Sequence, residues 1–211
     1  MNTSPPAPKK KLAKQRQSKH DDKLDTILRE AAILFSERGY EGTSLDHVAD
    51  AVHIHKATLY HYIDSKEEIL YQCLVRSFND YTEVYKEIKS RTQPPLQRLI
   101  KFFTVLIEAQ TNEFGRCNCL VTLQPLSAET SERIRSFQRE LDLTVRNLLE
   151  EGMADGSIRK CDARLTSAMI FGAFNWVQRW RKPDSRITTT EIARQYLDIF
   201  INGIATTPIT F

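Results

Sequence analysis

The stretch from Ser44 to Glu68 constrains the fold more than any other part of this chain. Four of its apolar residues have the i, i+3, i+4 and i+7 spacing that makes one face of a helix: Leu45, Val48, Ala49 and Val52. Ser44 precedes this face as a predicted N-cap, and Ser65 with Glu68 has the spacing of a capping box that opens a later helix. The pattern predicts two short helices joined by a tight turn, followed at once by a third helix.

The second of these helices, which begins at Lys56 and runs through Tyr62, has few residues that could hold it to a core. Leu59 is its one large aliphatic residue, so we expect this side chain to point inward. Most of the others can donate hydrogen bonds or stack, as a helix that enters a DNA major groove requires. Because Tyr60 and Tyr62 are two positions apart and cannot share a helix face, we expect Tyr60 outside and Tyr62 at least partly inside.

The residues TLYHYIDSKEEIL, with VADAVHIHKA and AAILFSERGYEGTS before them, resemble the DNA-binding domain of the tetracycline-repressor (TetR) family of bacterial transcription regulators over about residues 21–70. The family usually has Gly where His53 stands in the turn, and His is among the better tolerated substitutes if the turn needs a positive φ. Ala57 stands where the family often has Gly or Pro, and it is small enough to lie close to a phosphate. The resemblance implies DNA contacts from Ser44, His55, Lys56, Ala57, Thr58, Tyr60, His61, Tyr62 and Lys66.

Composition and periodicity predict an all-α fold of about nine helices, because the 211 residues include only seven glycines and show no sustained period-2 alternation. The predicted divisions are a disordered basic tail (1–20), a helix-turn-helix DNA-binding domain (21–66), a helical effector-binding and dimerisation domain (67–205) and a C-terminal tail (206–211). Apolar spacing predicts helices over about 22–38, 66–90, 96–112, 114–123, 129–154, 162–181 and 189–205. The fourth helix of the chain, 66–90, is predicted to be long and unbroken.

Charge is concentrated at the N-terminus, where residues 1–20 hold six Lys or Arg and no acid. Since the whole chain has a net charge of +3, the remaining residues are net −3, and nucleic-acid binding cannot be argued from the bulk charge of the folded part. Two interpretations of the tail stay open: a basic arm that adds phosphate or minor-groove contacts, or a solvated tail without a role. A protein that binds DNA without sequence preference through this tail is therefore one alternative function.

The predicted helix over 162–181 is apolar on more than one face, which favours burial of one face against a partner chain. In the family that the chain resembles, the last two helices form a four-helix dimer interface with their symmetry mates. The resemblance thus implies a homodimer on a palindromic operator. The interface residues that it implies are Ala168, Gly172, Ala173, Trp176, Tyr196 and Phe200.

A ligand pocket between the helices of the second domain is predicted to be large and mostly apolar. Its predicted lining is Phe78, Tyr81, Phe103, Leu106, Phe137, Leu141, Trp176 and Trp180, with Phe102 beside them, although the same residues would serve equally well as an ordinary core. The stretch FNWVQRWRKPDSRITTTEIARQYLDIF is similar to a subset of the family whose effectors are often acyl-CoA thioesters. Arg179, Arg181 and Lys182 would then meet phosphates, or they form a solvated helix end.

No catalytic, metal-binding or cofactor-binding motif can be assembled, so an enzyme is not expected. Cys117 and Cys119 lie about 200° apart on a helix, a poor geometry for chelation, although a redox- or metal-responsive regulator using this pair is a further alternative. The chain shows no signal peptide and no apolar run of about 20 residues, which predicts a cytoplasmic protein without membrane contact. The expected partners are double-stranded operator DNA, a second copy of the chain and a small hydrophobic effector.

Overall fold

Ten α-helices and no strands make up the part of the chain that the computed structural model describes, which is residues 8–79, 81–89, 92–182 and 185–203. The helices are α1 (Pro8–Arg38), α2 (Leu45–Ala51), α3 (Lys56–Leu59), α4 (Lys66–Asn79), α5 (Thr82–Lys89), α6 (Pro95–Ala109), α7 (Glu113–Leu120), α8 (Ala128–Asp155), α9 (Ala163–Trp180) and α10 (Thr189–Asn202). The predicted all-α class is confirmed. The predicted C-terminal tail, 206–211, lies outside the described residues.

Helix α1 is longer than predicted, because it begins at Pro8 rather than near Asp22. Residues 8–20 are therefore helical, whereas the sequence predicted a disordered tail; residues 1–7 lie outside the described part. Lys, Leu, Ala, Gln and Arg, which fill this segment, all have high intrinsic helix propensity. Proline at the first helical position costs nothing, since its missing N–H has no acceptor there in any helix.

The long helix predicted over 66–90 is two helices, α4 and α5, which is a second correction. Near the end of α4, Ser77 Oγ donates to the Leu74 carbonyl at 2.6 Å. Tyr81 N then donates to the Phe78 carbonyl three residues back, at 3.1 Å, where an α-helix would reach four residues back. Ser and Asn side chains compete with the backbone for such bonds, and apolar spacing carries no signal of it.

Two hydrophobic cores divide the molecule. The first contains the buried residues of α1–α4 together with Phe114 and Cys117 of α7 and Ile134 of α8. The second is built from α5, α6, α8, α9 and α10, and Phe78 packs against both. Helix α7 packs on α1 and α4 at one side and on α9 at the other, so it joins the two cores. Among the described helices, none combines the length and the apolar character that a membrane span requires.

Candidate nucleic-acid interface and ligand cleft

Helix α2 begins with a reciprocal cap formed by Ser44 and His47. Ser44 Oγ accepts from His47 N at 3.1 Å, and His47 Nδ1 accepts from Ser44 N at 3.2 Å. The predicted N-cap at Ser44 is confirmed, with His47 filling the capping-box position that Glu or Gln usually occupies. This cap fixes the start of α2 and leaves Asp46 exposed in its first turn.

The turn between α2 and α3 has a left-handed residue, His53, with φ of +54°. Ile54 N donates to the Ala49 carbonyl at 3.0 Å and closes the turn. Helix α3 then spans only four residues, and Leu59 holds it to the first core with no exposed surface. The inward position predicted for Leu59 is therefore confirmed, and the remainder of the segment is free to face outward.

The nine residues predicted to contact DNA lie together at the surface formed by α2, the turn and α3. Five of them are exposed: His55, Lys56, Ala57, Tyr60 and His61. The others, Ser44, Thr58, Tyr62 and Lys66, are half-buried. The different exposures predicted for the two tyrosines are confirmed, since Tyr60 is 50% exposed and Tyr62 packs against the first core.

Lys56 is held by a carboxylate that the sequence analysis did not assign to this surface. Its Nζ lies 2.8 Å from Asp46 Oδ2, and this hydrogen bond raises the pKa of Lys56. Both side chains remain largely exposed, so the pair can open at little cost. The sequence placed Asp46 in the first turn of α2 but carried no signal that α3 would bring Lys56 against it.

Lys66 has contacts inside the domain that compete with a phosphate. Its Nζ donates to the carbonyls of Tyr40 and Thr43, both at 3.0 Å, and lies 4.0 Å from the centroid of the Tyr40 ring. An ammonium group has three donors, so these two carbonyls take most of its capacity. Lys66 thus links the start of α4 to the loop after α1, and this contact does not depend on DNA.

Helix α1 passes beside the same surface before it enters the core. The His20 ring stacks on Tyr62 with centroids 4.7 Å apart, and Lys23 Nζ donates to the Val52 carbonyl at 3.1 Å. Helix α1 therefore meets the edge of the candidate DNA-binding surface at His20 and Lys23.

A cleft of about 180 Å³ opens where α4 breaks into α5 and faces α8. Its lining comprises Phe78, Asn79, Tyr81, Thr82, Tyr85, Phe137, Glu140 and Leu141. The rings of Phe78 and Phe137 are stacked at 5.4 Å and form the apolar wall. At the polar end, Glu140 Oε1 accepts from the Tyr85 hydroxyl at 2.5 Å and from Lys89 Nζ at 3.3 Å, and these bonds lower the pKa of Glu140.

The structure does not bring the eight predicted pocket residues together. Phe78, Tyr81, Phe137 and Leu141 line the cleft. Phe103 and Leu106 are buried in the second core, as is Phe102, because aromatic rings from α6 and α9 close the space between these helices. Trp176 and Trp180 point outward from α9 and are 59% and 44% exposed, and neither lines the cleft. Trp180 instead lines a separate recess with Ile187, Ile192 and Tyr196.

The outer faces of α9 and α10 carry the residues predicted for a dimer interface. Ala168, Gly172, Ala173 and Trp176 are exposed, while Tyr196 and Phe200 are half-buried. Further large apolar side chains that the sequence analysis left out are exposed on the same two helices: Leu165, Met169, Trp180 and Ile199. A Cβ added at Gly172 would meet nothing within 4 Å, so this glycine serves no contact inside the chain.

The cysteine pair is poorly suited to sensing. Burial raises the pKa of both Cys117 and Cys119 to about 12, which suppresses the thiolate that oxidation and metal binding require. The described residues hold no cluster of three or more potential metal ligands. In the last turn of α9, Arg179 lies over the exposed Trp176 ring at 5.3 Å. Beyond the helix Lys182 is exposed and Arg181 is half-buried, so only part of the predicted basic set is solvated in the single chain.

Comparison with known proteins agrees with this architecture in both halves of the chain. The family described as "Bacterial regulatory proteins, tetR family" matches residues 27–73, and "Tetracyclin repressor-like, C-terminal domain" matches residues 92–204. The HTH-type transcriptional repressor KstR2 of Mycolicibacterium smegmatis is 29% identical over 201 residues, which cover 92% of this chain and 96% of the repressor. KstR2 of Mycobacterium tuberculosis is 30% identical over 190 residues, covering 84% and 90%.

Solved structures match over a similar extent. AibR in complex with isovaleryl coenzyme A and operator DNA has a TM-score of 0.77 and 26% identity, covering 85% of this chain and 98% of the AibR chain. The TetR family regulator PfmR of Thermus thermophilus has a TM-score of 0.77 and 29% identity over the same shares of the two chains. The chain described here belongs to the TetR family of bacterial transcriptional regulators.

Proposed function

We propose that the protein is a homodimeric transcriptional repressor that leaves a palindromic operator when it binds a small hydrophobic effector, an acyl-CoA thioester. The observation that carries the DNA-binding part is the exposure of Lys56 at the start of α3, and of Tyr60 and His61 directly after it, around the buried anchor Leu59. A surface of donors and an aromatic ring that Leu59 anchors to the first core suits the base edges and phosphates of a major groove. The similarity to the transcriptional repressors KstR2 supports repression rather than activation.

The dimer part of the proposal rests on the apolar outer faces of α9 and α10. A run of exposed Leu165, Met169 and Trp176 along one helix is more apolar surface than a soluble monomer usually leaves open. A second copy of the same face covers it by two-fold symmetry, and Gly172 allows the helices to approach closely. Two DNA-binding surfaces related by this two-fold symmetry require a palindromic operator.

The effector part rests on the cleft between α4, α5 and α8. Its volume of about 180 Å³ suits a short apolar chain and not a whole coenzyme A, so the acyl group enters and the nucleotide stays outside. The complex of AibR with isovaleryl coenzyme A supports this ligand class. Phe78 and Phe137, whose stacked rings form the apolar wall, lie on α4 and α8. The starts of these two helices are joined near the proposed DNA-binding surface, where Glu67 Oε1 accepts from Ser127 N at 2.7 Å.

The contact between Glu67 and Ser127 suggests a mechanism for the proposed release from the operator. An acyl chain that separates α4 from α8 at the cleft tilts α4, whose first turn is tied by Lys66 to the helix-turn-helix. Effector and operator then favour different dimer geometries, and a coupling free energy of about 1–3 kcal/mol changes the operator affinity by roughly 5–150-fold. A repressor acts at the chromosome, so we also propose a cytoplasmic location.

The test is a fluorescence-anisotropy titration of the protein on duplexes from its own upstream DNA and on a scrambled duplex, at one salt concentration. Isovaleryl-CoA, a long-chain acyl-CoA and coenzyme A alone are added in separate series. Specific binding that a thioester releases and coenzyme A does not supports the whole proposal. Specific binding that no thioester changes removes the effector class, and equal affinity for the scrambled duplex overturns the repressor function.

A further inference from the structure

The first part of α1 precedes the residues that this helix buries in the first hydrophobic core. Residues 17–20 are exposed, and the first buried residue of α1 in the described burial pattern is Ile27. The segment 8–19 is nevertheless helical and continuous with the rest of α1. It carries the six positive charges of the N-terminus, and the first acid of the chain is Asp21. A strongly basic helical segment next to a folded domain suits a partner of opposite charge.

Two contacts fix where this helix leaves the domain. His20 stacks on Tyr62, which follows the proposed recognition helix, and Lys23 donates to the Val52 carbonyl at the turn between α2 and α3. Both partners belong to the surface proposed to face DNA. The segment 8–19 therefore joins the domain at the edge of that surface and not at its far side.

We propose that residues 8–19 form a helical arm that contacts the phosphates of the duplex flanking each operator half-site. This inference rests on the proposed operator-binding function. From His20 to Pro8 the helix rises about 18 Å, a distance of roughly five base pairs of DNA. Its N-terminus adds the positive end of the helix dipole to the lysine and arginine charges.

Charge distribution makes this arm the main electrostatic contact of the protein with DNA. The whole chain is +3 and the arm alone is +6, so the remainder is net negative and repels phosphate at long range. On the proposed recognition surface itself, Asp46 neutralises Lys56. The arm supplies sequence-independent affinity, while the recognition helix supplies the choice of sequence.

The first experiment compares the full chain with the variant Lys9→Gln/Lys10→Gln/Lys11→Gln/Lys14→Gln. Gln keeps a helix propensity close to that of Lys, so only charge changes. Binding is measured on the operator alone and on the operator with about 10 extra base pairs at each end, between about 50 and 200 mM salt. We expect the full chain to bind the longer duplex more tightly and the variant to lose this gain. The slope of log K against log salt should become shallower by about 0.9 for each phosphate that the variant no longer neutralises.

Two controls separate the arm from general effects of charge and fold. Arg159→Gln/Lys160→Gln removes two exposed charges beyond the far end of α8 and should leave the salt slope unchanged, unlike the matched pair Lys10→Gln/Lys11→Gln. Ala13→Pro keeps every charge but breaks the helix, and it should lose most of the gain from the flanking DNA. Circular dichroism and thermal unfolding check that each variant is folded.

The proposal is overturned if the four-lysine variant keeps both the full salt slope and the gain from the flanking DNA. It is also overturned in its helical form if Ala13→Pro behaves like the unaltered chain. Failure of the operator-binding function itself looks different: the full chain would then bind operator and scrambled duplexes equally, whatever the state of the arm.

Discussion

Lys56 Nζ lies 2.8 Å from Asp46 Oδ2, so the first residue of α3 is restrained by a carboxylate from the first turn of α2. This pair lies on the candidate DNA-binding surface. A carboxylate there opposes any phosphate, whereas Lys56 alone would attract every phosphate equally. The pair lowers the general attraction of the surface for DNA and directs the ammonium group to the start of the recognition helix.

Replacing Asp46 with Asn should therefore increase affinity and decrease selectivity. We expect binding to a scrambled duplex to tighten by about threefold or more, since one negative charge leaves the interface and Lys56 becomes free to reach phosphate. Operator binding should tighten less, so that the ratio of specific to non-specific affinity falls. Parallel anisotropy titrations measure both constants.

The control for this charge change is Asp50→Asn, which removes an exposed carboxylate from the same helix without touching Lys56. It should leave the ratio of the two affinities closer to that of the unaltered chain. An unchanged ratio in Asp46→Asn would show that Asp46 only interacts with the dipole of α2.

Tyr60→Ala should weaken operator binding and leave the protein folded. The ring is half exposed and outside the core, so its removal should change the free energy of unfolding by no more than about 0.5 kcal/mol. Loss of a base or phosphate contact should cost about 1–3 kcal/mol of binding, which is roughly 5–150-fold in affinity. Leu59→Ala is the contrasting variant, because it removes the buried anchor and should destabilise the domain. Full operator affinity in Tyr60→Ala would contradict the assignment of this helix to DNA reading.

Lys66→Met should destabilise the domain before any effect on DNA is considered. The substitution leaves the carbonyls of Tyr40 and Thr43 without their ammonium donor, which should cost about 1–3 kcal/mol of unfolding free energy. Urea unfolding measures this loss, with Lys19→Met as an exposed control. If Lys66→Met unfolds like the unaltered chain but binds operator weakly, the phosphate contact predicted from the family outweighs the internal one.

Local signals in the sequence predicted the helix-turn-helix well. The cap at Ser44, the inward Leu59 and a turn that tolerates a positive φ at His53 all depend on neighbours within a few residues. Contacts between elements were not predictable in this way. The pairing of Lys56 with Asp46 depends on how α3 crosses α2, and local patterns do not determine that angle.

The structure brings the predicted pocket residues together only in part, for a related reason. Large apolar residues at helical spacing identify a face but not what covers it, so Phe103, Phe137 and Trp176 looked alike in the sequence. In the structure the first is core, the second lines the cleft and the third lies on the outer face of α9. The break between α4 and α5, beside which the cleft lies, comes shortly after Ser77, whose hydroxyl donates to the Leu74 carbonyl, and periodicity does not register such a contact.

Gly172→Glu should prevent dimer formation without unfolding the chain. The space beyond Gly172 is open in the single chain, and replacing a mid-helix glycine gains about 0.5–1 kcal/mol of helix propensity. In a two-fold interface the same position meets its symmetry mate, where two carboxylates are brought together and cannot be solvated. Analytical ultracentrifugation should find a monomer, while Asn147→Glu on the exposed side of α8 should stay dimeric. A dimeric Gly172→Glu would place the interface elsewhere.

Phe137→Trp should separate effector response from DNA binding. The ring stacks on Phe78 across the cleft, and a larger ring fills part of the 180 Å³ that the acyl chain is proposed to occupy. Operator affinity without effector should change little, because the added ring takes up open cleft volume without separating α4 from α8. The acyl-CoA concentration that releases half of the DNA should rise by about tenfold or more, the equivalent of losing roughly 1.4 kcal/mol of apolar contact. Phe137→Leu keeps an apolar wall without filling the cleft, so it should respond to effector nearly as the unaltered chain does. Equal responses from the Trp and Leu variants would mean that the acyl group binds at another site.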